Sequence, residues 1–451
     1  MAVAIGILIL VVITVLFHFF SPWWFTPIAA DWAEIDLTVD ITFWITGIVF
    51  ILLNGFLIWV IMRYRHRKGS KAHYEPESKK IEWWLSIITT VGVVALLAPG
   101  LWVWERIIVV PDDAAVVEVV GQQWHWSFRY PGEDGVLGQV EVARMSVDNP
   151  FGMKPEDPAG LDDVLINHGE LHIPIGKNLK FVLRSKDVLH NFTVPQFRVK
   201  MDLIPGTTSF VWLKPTRIGR YDIMCEELCG IGHFAMRGTV VVDDQATFDE
   251  WLGTYPTFAE ELHRPKPDLV AGQSLYAVCS ACHGAQGEGN ATLNAPTLAG
   301  QESWYIKRQI NHFKQGLRGA DGGDTYGAQM APMANVLADD VAVSNVAAYI
   351  ASFPVTGAEH TITGNTDRGE HLFNTCKSCH GPNGEGIWAL NAPRLNGVDD
   401  WYLVRQIENY KQGIRGSHPR DLYGKQMTLL SGMLRNEQDI NDVVAYINTL
   451  Q

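Results

Sequence analysis

The chain has 451 residues, of which 47% are hydrophobic and only 19% are charged. This length suits about three domains, and the composition is typical of a protein that lies partly in lipid and partly in water. The net charge of -13 argues against a nucleic-acid partner, since nucleic-acid binding needs a basic surface. The six cysteines form three close pairs, which indicates metal or haem chemistry rather than a framework of disulfides.

Three hydrophobic segments near the N-terminus are long enough to cross a lipid bilayer, which takes about 20 apolar residues per helix. We predict transmembrane helices at about 2–20, 41–62 and 83–104, within a membrane anchor that covers residues 1–106. The first segment could instead be a cleaved signal peptide. It lacks a basic leading region and a small-residue cleavage site, which favours a retained helix.

The loops between these segments differ in charge. Residues 63–80 include seven Lys and Arg, whereas residues 26–40 include four acidic residues and no basic one. The positive-inside rule places the basic loop in the cytoplasm. The N-terminus is then cytoplasmic too, and everything after Glu105 lies outside. In a bacterium this predicts a multi-pass protein of the inner membrane with its later domains in the periplasm.

Residues 107–245 are rich in Val, Phe and Trp, with Gly and Pro between short segments, which predicts a β-sandwich. This region contains "MCEELCGIGHFAM", which starts at Met224, and a histidine 35 residues before its first cysteine. Thiolate, imidazole and thioether ligands on an all-β scaffold suit copper in electron transfer. A zinc Cys₂His₂ site would need no Met, and a disulfide would leave the histidines unexplained. The residues favour copper, with zinc and a disulfide as the alternatives.

This stretch resembles the copper motif of subunit II of haem–copper cytochrome c oxidases, C-x-E-x-C-G-x-x-H-x-x-M, and matches it at every fixed position. The resemblance implies a cupredoxin-like domain with a dinuclear CuA centre, whose two thiolates bridge the coppers. The implied ligands are the thiolates of Cys225 and Cys229, the imidazoles of His190 and His233, the Met236 sulfur and the Glu227 backbone carbonyl. The resemblance also implies a Mg²⁺ ion that the Glu227 carboxylate shares with the catalytic subunit.

Three further stretches resemble the same family. "GQQWHWSFRY" resembles its aromatic patch, in which Trp124 takes the place where electrons arrive from cytochrome c. "KMDLIPG" resembles the loop near the magnesium and contains Asp202. "KKIEWWLS" places Glu82 where family members can have a proton-channel opening. Without the resemblance, a Trp-rich strand usually indicates core packing and Glu82 indicates a solvated acid at the membrane surface.

The pentapeptides "CSACH" and "CKSCH" both match the C-x-x-C-H motif for covalent haem attachment. In this motif two thioethers fix the porphyrin and the adjacent histidine ligates the iron. Two such motifs in the exported part of one chain, with parallel sequence after each, predict two c-type haems. The predicted attachment residues are Cys279, Cys282 and His283 for the first haem, and Cys376, Cys379 and His380 for the second.

The two motifs belong to an internal repeat with a constant offset of 97 residues and no gaps. "NAPTLAG" becomes "NAPRLNG", and "SWYIKRQINHFKQGLRG" becomes "DWYLVRQIENYKQGIRG". A class I c-type haem commonly takes a Met as its sixth ligand. The offset places Met330 on Met427, whereas Met333 and Met433 have no Met counterpart. We therefore predict Met330 and Met427 as the sixth ligands.

The repeat resembles periplasmic diheme cytochromes c, which implies two all-α cytochrome c domains over residues 268–357 and 365–451. A Pro-bearing segment, residues 246–267, is predicted to link them to the copper domain. The predicted fold is thus multidomain, with N-terminal transmembrane helices, a cupredoxin-like sandwich and two cytochrome c domains.

Together the resemblances imply the electron-input subunit of a respiratory terminal oxidase. Its upstream donor would be a periplasmic or membrane protein, either a cytochrome c or a quinol-oxidising complex. Electrons would pass through the two haems to CuA and then to the catalytic haem–copper subunit I, which acts with other oxidase subunits, reduces O₂ to water and pumps protons. The alternatives are a CuA subunit of a nitric oxide reductase and a membrane-anchored electron carrier.

Overall fold

The computed structural model of the chain describes residues 1–21, 25–69, 71, 74, 76–320, 323–355, 357 and 360–450. The final residue of the predicted second cytochrome c domain, Gln451, lies outside the described residues. In chain order the described part forms three long helices, a sandwich of two sheets, and two similar four-helix units. The predicted fold class is confirmed.

The three N-terminal helices are α1 (Ala2–Phe20), α2 (Ala33–Arg63) and α3 (Lys79–Ile108). Each is long and apolar enough to cross a membrane, and their apolar side chains are almost all exposed. An apolar surface of this size is not compatible with water, so the chain is a membrane protein.

Helices α2 and α3 are longer than the predicted spans because they continue toward the sandwich. Arg106 near the end of α3 pairs with Glu34 in the first turn of α2 at 2.5 Å. The Trp212 indole of the sandwich donates to the Arg106 carbonyl at 3.0 Å, and the Trp32 indole donates to the Trp212 carbonyl at 3.2 Å. These contacts attach the sandwich directly to two membrane helices.

Ten strands form the sandwich. They are β1 (Ala115–Gln122), β2 (His125–Tyr130), β3 (Val164–Ile166), β4 (Glu170–Pro174), β5 (Leu179–Ser185), β6 (His190–Val194), β7 (Val199–Leu203), β8 (Ser209–Leu213), β9 (Gly219–Met224) and β10 (Arg237–Asp243). One sheet has the order β3-β2-β1-β5-β8 and the other β4-β10-β9-β6-β7. Their facing sides bury large rings such as Trp126, Phe128, Phe181 and Phe192.

The segment predicted as a linker is mostly an ordered part of the sandwich. It forms helices α4 (Gln245–Leu252) and α5 (Phe258–Leu262). Phe258 is almost fully buried, and its backbone N–H donates to the Asp163 carbonyl at 2.8 Å. Trp251 of α4 stacks on the His172 ring, with the ring centroids 4.1 Å apart. Only the short run after Leu262 therefore connects the sandwich to the first four-helix unit.

The two four-helix units repeat each other helix by helix, and we call them lobe 1 and lobe 2. Lobe 1 contains α6 (Leu269–His283), α7 (Ser303–Lys314), α8 (Thr325–Ala334) and α9 (Asp340–Ala351). Lobe 2 contains α10 (Thr366–His380), α11 (Asp400–Lys411), α12 (Leu422–Ser431) and α13 (Glu437–Ile447). Every helix of lobe 2 begins 97 residues after its counterpart, as the sequence repeat predicts.

The first and last helices of each lobe cross at a glycine. A Cβ atom on Gly272 would lie 2.3 Å from the Asn345 carbonyl oxygen, and one on Gly369 would lie 2.1 Å from the Asp442 carbonyl oxygen. No side chain fits at either point, so these helices can approach closely only because both positions are glycine. The C-terminal helix thus packs directly on the first helix in each lobe.

Candidate copper and haem sites

The pairing of strands β6, β9 and β10 brings the predicted copper ligands together at one end of the second sheet. Cys225 directly follows β9, and His190 opens the neighbouring β6. His233 starts a short 3-10 turn, and Met236 lies between that turn and β10. Neighbouring strands thus bring an imidazole and a thiol together although they are 35 residues apart in the chain.

The two cysteine sulfurs are 3.8 Å apart and both are buried. The Cys225 sulfur lies 3.9 Å from His190 Nδ1 and 3.2 Å from the Glu227 carbonyl oxygen. The Cys229 sulfur lies 3.5 Å from His233 Nδ1 and 3.8 Å from the Met236 sulfur. All six predicted copper ligands therefore face one small volume.

This donor set fits a pair of soft metal ions better than a single zinc ion. Each sulfur has one imidazole beside it, and the thioether and the carbonyl add one weak donor on each side. A structural zinc site needs only four donors. Thiolate and thioether donors together suit copper, so these six residues would be able to hold a dinuclear copper centre, which would supply one-electron chemistry.

Asp187 sets the orientation of the His190 ring. Its Oδ1 lies 2.8 Å from His190 Nε2, which leaves Nδ1 directed at the Cys225 sulfur. Burial alone would lower the pKa of His190, but hydrogen bonds with Asp187 and Cys225 outweigh burial and raise that pKa. The hydrogen bond between the two thiols lowers the pKa of Cys225 and raises the pKa of Cys229.

Trp124 is in direct contact with the segment from Cys225 to Met236, which we call the copper loop. Its indole N–H donates to the Cys229 carbonyl at 3.0 Å, and the Gln123 side-chain amide donates to the same oxygen at 2.7 Å. A Cβ atom on Gly232 would lie 2.5 Å from the Trp124 ring, so only glycine lets the ring lie flat on this loop. The tryptophan singled out from the sequence is thus one hydrogen bond from a copper ligand.

The other acidic residues predicted at functional positions are less constrained. Asp202 accepts a hydrogen bond from the Asn191 side-chain amide at 2.6 Å, and Asn191 follows His190 directly. The Glu227 side chain is half-buried, and Glu82 is exposed in the first turn of α3. Their predicted roles in magnesium binding and proton uptake stay predictions.

Each haem-attachment motif ends in a histidine with one ring nitrogen already bonded. His283 Nδ1 lies 2.8 Å from the Pro296 carbonyl oxygen, and His380 Nδ1 lies 2.7 Å from the Pro393 carbonyl oxygen. This bond fixes the ring and leaves Nε2 free as a metal ligand. Burial lowers the pKa of both histidines, which favours the neutral form that a metal requires.

Both motifs open onto a cavity of about 510 Å³ between the helices of the two lobes. Its lining includes all four attachment cysteines and the four methionines that were weighed as sixth ligands. Met333 and Met433 are 40% and 51% exposed, whereas Met330 and Met427 are half-buried. The burial agrees with the predicted choice of Met330 and Met427, which stays a prediction.

Two buried arginines at the seam between the lobes were not found from the sequence. Arg318 and Arg415 are 97 residues apart, 6% and 4% exposed, and line the same cavity. They bond to the side-chain oxygens of Gln309 and Gln406, and neither forms an ion pair with a carboxylate among the described residues. Their repetition in "KQGLRG" and "KQGIRG" was the available signal.

A buried cation that faces a cavity needs an anionic partner there. The Nε atoms of Arg318 and Arg415 have no hydrogen-bond partner in the described part of the chain. A porphyrin that carries two carboxylates in each lobe would supply such partners. The residues present therefore fit haem on three counts, namely the attachment motifs, the oriented histidines and the unneutralised arginines.

Lobe 2 packs on the copper domain at Trp124. The Gln426 side-chain amide donates to the Trp124 carbonyl, and the Tyr423 hydroxyl donates to the Asn167 carbonyl at 3.3 Å. Cys379, which belongs to the haem motif of lobe 2, packs against the hydrophobic cluster that contains Trp124 and the copper-loop cysteines. The haem motif of lobe 2 is thus packed against the copper domain.

A sandwich with soft copper ligands, followed by two lobes with haem-attachment sites, defines a membrane-bound electron-transfer protein of the copper and haem c class. Residues 115–244 match the family model "Cytochrome C oxidase subunit II, periplasmic domain", and residues 269–354 and 366–451 match "Cytochrome c". The chain is 52% identical over 259 residues to the alternative cytochrome c oxidase subunit 2 of Bradyrhizobium diazoefficiens, which is 57% of this chain and 94% of that relative. The chain belongs to the cytochrome c oxidase subunit 2 family.

Two further comparisons cover different parts of the chain. Cytochrome c oxidase subunit 2 of Cereibacter sphaeroides is 27% identical over 252 residues, which is 51% of this chain and 82% of that protein. Among solved structures, reduced cytochrome c4 of Pseudomonas stutzeri is 28% identical and covers 41% of this chain and 100% of its own, with a TM-score of 0.33. Family membership implies a CuA site and association with a catalytic haem–copper subunit, and the cytochrome c domains imply haem c.

Proposed function

We propose that the chain is the electron-input subunit of a respiratory terminal oxidase in a bacterial inner membrane, with its copper and haem domains in the periplasm. Lobe 1 and lobe 2 each hold one covalent haem c, and the copper domain holds a dinuclear CuA centre. Electrons pass from a periplasmic or membrane donor through the lobes to the copper domain. They then pass to the catalytic subunit, which reduces O₂ to water and pumps protons.

The contact of lobe 2 with Trp124 carries this proposal. When bound, copper and haem supply one-electron chemistry, and the protein has to hold them close together and away from water. Cys379 of the haem motif and Cys229 of the copper loop both border the cluster that contains Trp124. The Trp124 indole is bonded to the Cys229 carbonyl at 3.0 Å. This arrangement gives a short, desolvated connection from lobe 2 to a copper ligand.

Family membership favours an oxidase over the nitric oxide reductase and the free carrier that were the alternatives. The subunits that purify with the chain distinguish them, since an oxidase partner carries haem a or haem b with copper and a nitric oxide reductase carries non-haem iron. The Mg²⁺ ion shared with the catalytic subunit is part of the proposal. Glu227 and Asp202 would hold it. Glu227 follows the copper ligand Cys225 by two residues, and Asp202 pairs across the sheet with Asn191, the neighbour of the copper ligand His190.

Disrupting the contact between lobe 2 and the copper domain is expected to slow reduction of copper about tenfold. Leu422 is half-buried against the copper domain, and its side chain fills the space where a Cβ on Gly169 would lie. Leu422→Glu would bury a charge in this contact. Stopped-flow absorbance of haem and copper after mixing with the donor measures the rate.

The internal repeat supplies the matched control for this experiment. Thr325 is the lobe 1 counterpart of Leu422 and is exposed, so Thr325→Glu introduces the same charge outside the contact. Thr325→Glu should leave the rate of copper reduction within about twofold. Equal rates in Leu422→Glu and the unaltered chain would count against the proposed route through lobe 2.

Met330→Ala and Met427→Ala are each expected to remove one methionine-ligated haem signal and to lower the potential of that haem. The unaltered chain should carry two covalent haems, each with a sulfur-to-iron absorption band, because a thioether ligand raises the potential. Redox titration and the amplitude of that band measure the change. Met333→Ala and Met433→Ala are the controls and should keep both signals. Loss of a signal in either control would show that the repeat assigns the wrong methionine.

A further inference from the structure

Exposed side chains of lobe 1 line one part of the haem cavity, and we call this part the input face. Val278, Leu293 and Met333 line the cavity and are 45%, 50% and 40% exposed. Cys282, the second cysteine of the lobe 1 haem motif, lies beside them and is also exposed. An exposed apolar patch around a redox site is typical of a transient protein–protein interface.

The counterparts of these four residues in lobe 2 are all less exposed. Adding 97 to each number gives Thr375, Cys379, Leu390 and Leu430, and each of them is half-buried. The copper domain contacts two of these positions, since Cys379 packs on its core and the Gln122 side-chain amide donates to the carbonyl of Ala389, the neighbour of Leu390. The same surface of the same fold thus contacts the copper domain in lobe 2 and is exposed in lobe 1.

Acidic residues border the input face. Glu288 is exposed, and its carboxylate lies against Gly284, which directly follows the haem histidine. Asp339 and Asp340 are exposed and follow Val336, an apolar residue that is 56% exposed beside the face. None of the three acids forms an ion pair among the described residues. Glu288 and Asp340 have acidic counterparts in lobe 2, Glu385 and Glu437, whereas Asn436 takes the place of Asp339. Lobe 1 therefore carries one more acid at this border.

We infer that the input face is the docking site of the upstream electron donor, a soluble redox protein with an apolar redox edge surrounded by basic residues. This inference rests on the proposed function. It gives the order of electron transfer as donor, lobe 1, lobe 2 and then the copper domain. Two features of the lobes point to this partner. The counterpart of the face in lobe 2 contacts a redox domain, and the exposed face in lobe 1 carries the negative charge that attracts a basic protein.

The test uses the purified membrane complex with the full chain, and a soluble basic cytochrome c as the probe. Val336→Lys places a positive charge at the rim of the face without entering the cavity, and it should weaken probe binding about tenfold. The double variant Asp339→Asn and Asp340→Asn should also weaken binding and should flatten its dependence on salt. Binding is measured by the probe's Kd at several ionic strengths, and electron transfer by the KM for the probe.

Leu429→Lys is the matched control, since Leu429 is 48% exposed on lobe 2 and lies outside the cavity lining. It should leave the Kd within about twofold, and all variants should keep their turnover with a small chemical reductant. An unchanged Kd in Val336→Lys, or an equal loss in Leu429→Lys, overturns the inference. The inference is also overturned if another subunit protects the input face in the complex without donor. In each of these cases Leu422→Glu still tests the contact of lobe 2 with the copper domain separately.

Discussion

Changing Cys225 to Ser, or Cys229 to Ser, is expected to remove the copper pair and to reduce oxygen uptake with the native donor by about a hundredfold or more. Even changes to residues that only support the ligands of a metal site commonly lower metal affinity or activity by roughly 10- to 100-fold. The two sulfurs lie 3.8 Å apart and are the only donors placed to be shared by two metals in the described site. A serine hydroxyl stays protonated and cannot replace a shared thiolate.

Metal analysis of the purified complex and its near-infrared absorption measure the loss. Met236→Leu should give a milder result, because the thioether is a weak ligand on one side of the site. It should retain copper and shift the potential. Ala235→Ser is the control, since Ala235 is buried in the same turn and is not a predicted ligand. Two coppers retained in Cys225→Ser would refute the shared-thiolate site.

The candidate copper ligands could be proposed from the sequence because most of them lie in one short segment. Cys225, Cys229, His233 and Met236 fall within 12 residues, and their chemistry is local. His190 lies 35 residues earlier, and its place in the site depends on the pairing of β6 with β9. Asp187, which orients that histidine, carries no signal in the sequence, because a single carboxylate three residues before a ligand is common in a surface turn.

The repeat made the two lobes predictable but not their surroundings. Gln426 bonds to Trp124 across 302 residues of chain, whereas its lobe 1 counterpart Gln329 is exposed. Two repeats of similar sequence thus have different environments, and this asymmetry arises from contacts with a third domain. The interpretation of residues 246–267 as a linker was incomplete for a similar reason. Proline content indicated a link between two domains, but Phe258 of this segment is buried in the sandwich.

Removing both lobes by ending the chain after Arg264 is expected to slow copper reduction by the native donor by roughly a hundredfold, the scale of the gain from tethering. The lobes supply the donor surface, and tethering keeps lobe 2 at Trp124 at a high effective concentration. A cut after Arg264 keeps α4 and α5, which complete the sandwich through Phe258 and Trp251. Copper content should therefore be unchanged, and a small chemical reductant should still drive oxygen uptake.

A second truncation, after Asp244, separates loss of the route from loss of the fold. It removes Phe258, whose burial in the sandwich is worth about 3 kcal/mol or more by comparison with Phe→Ala changes in protein cores. This shorter chain should lose stability and copper as well as rate, which thermal unfolding and metal analysis detect. The chain that ends after Arg264 should lose only the rate with the native donor. If it accepts electrons from that donor at the full rate, the lobes are not on the main route and Trp124 receives electrons directly from the donor.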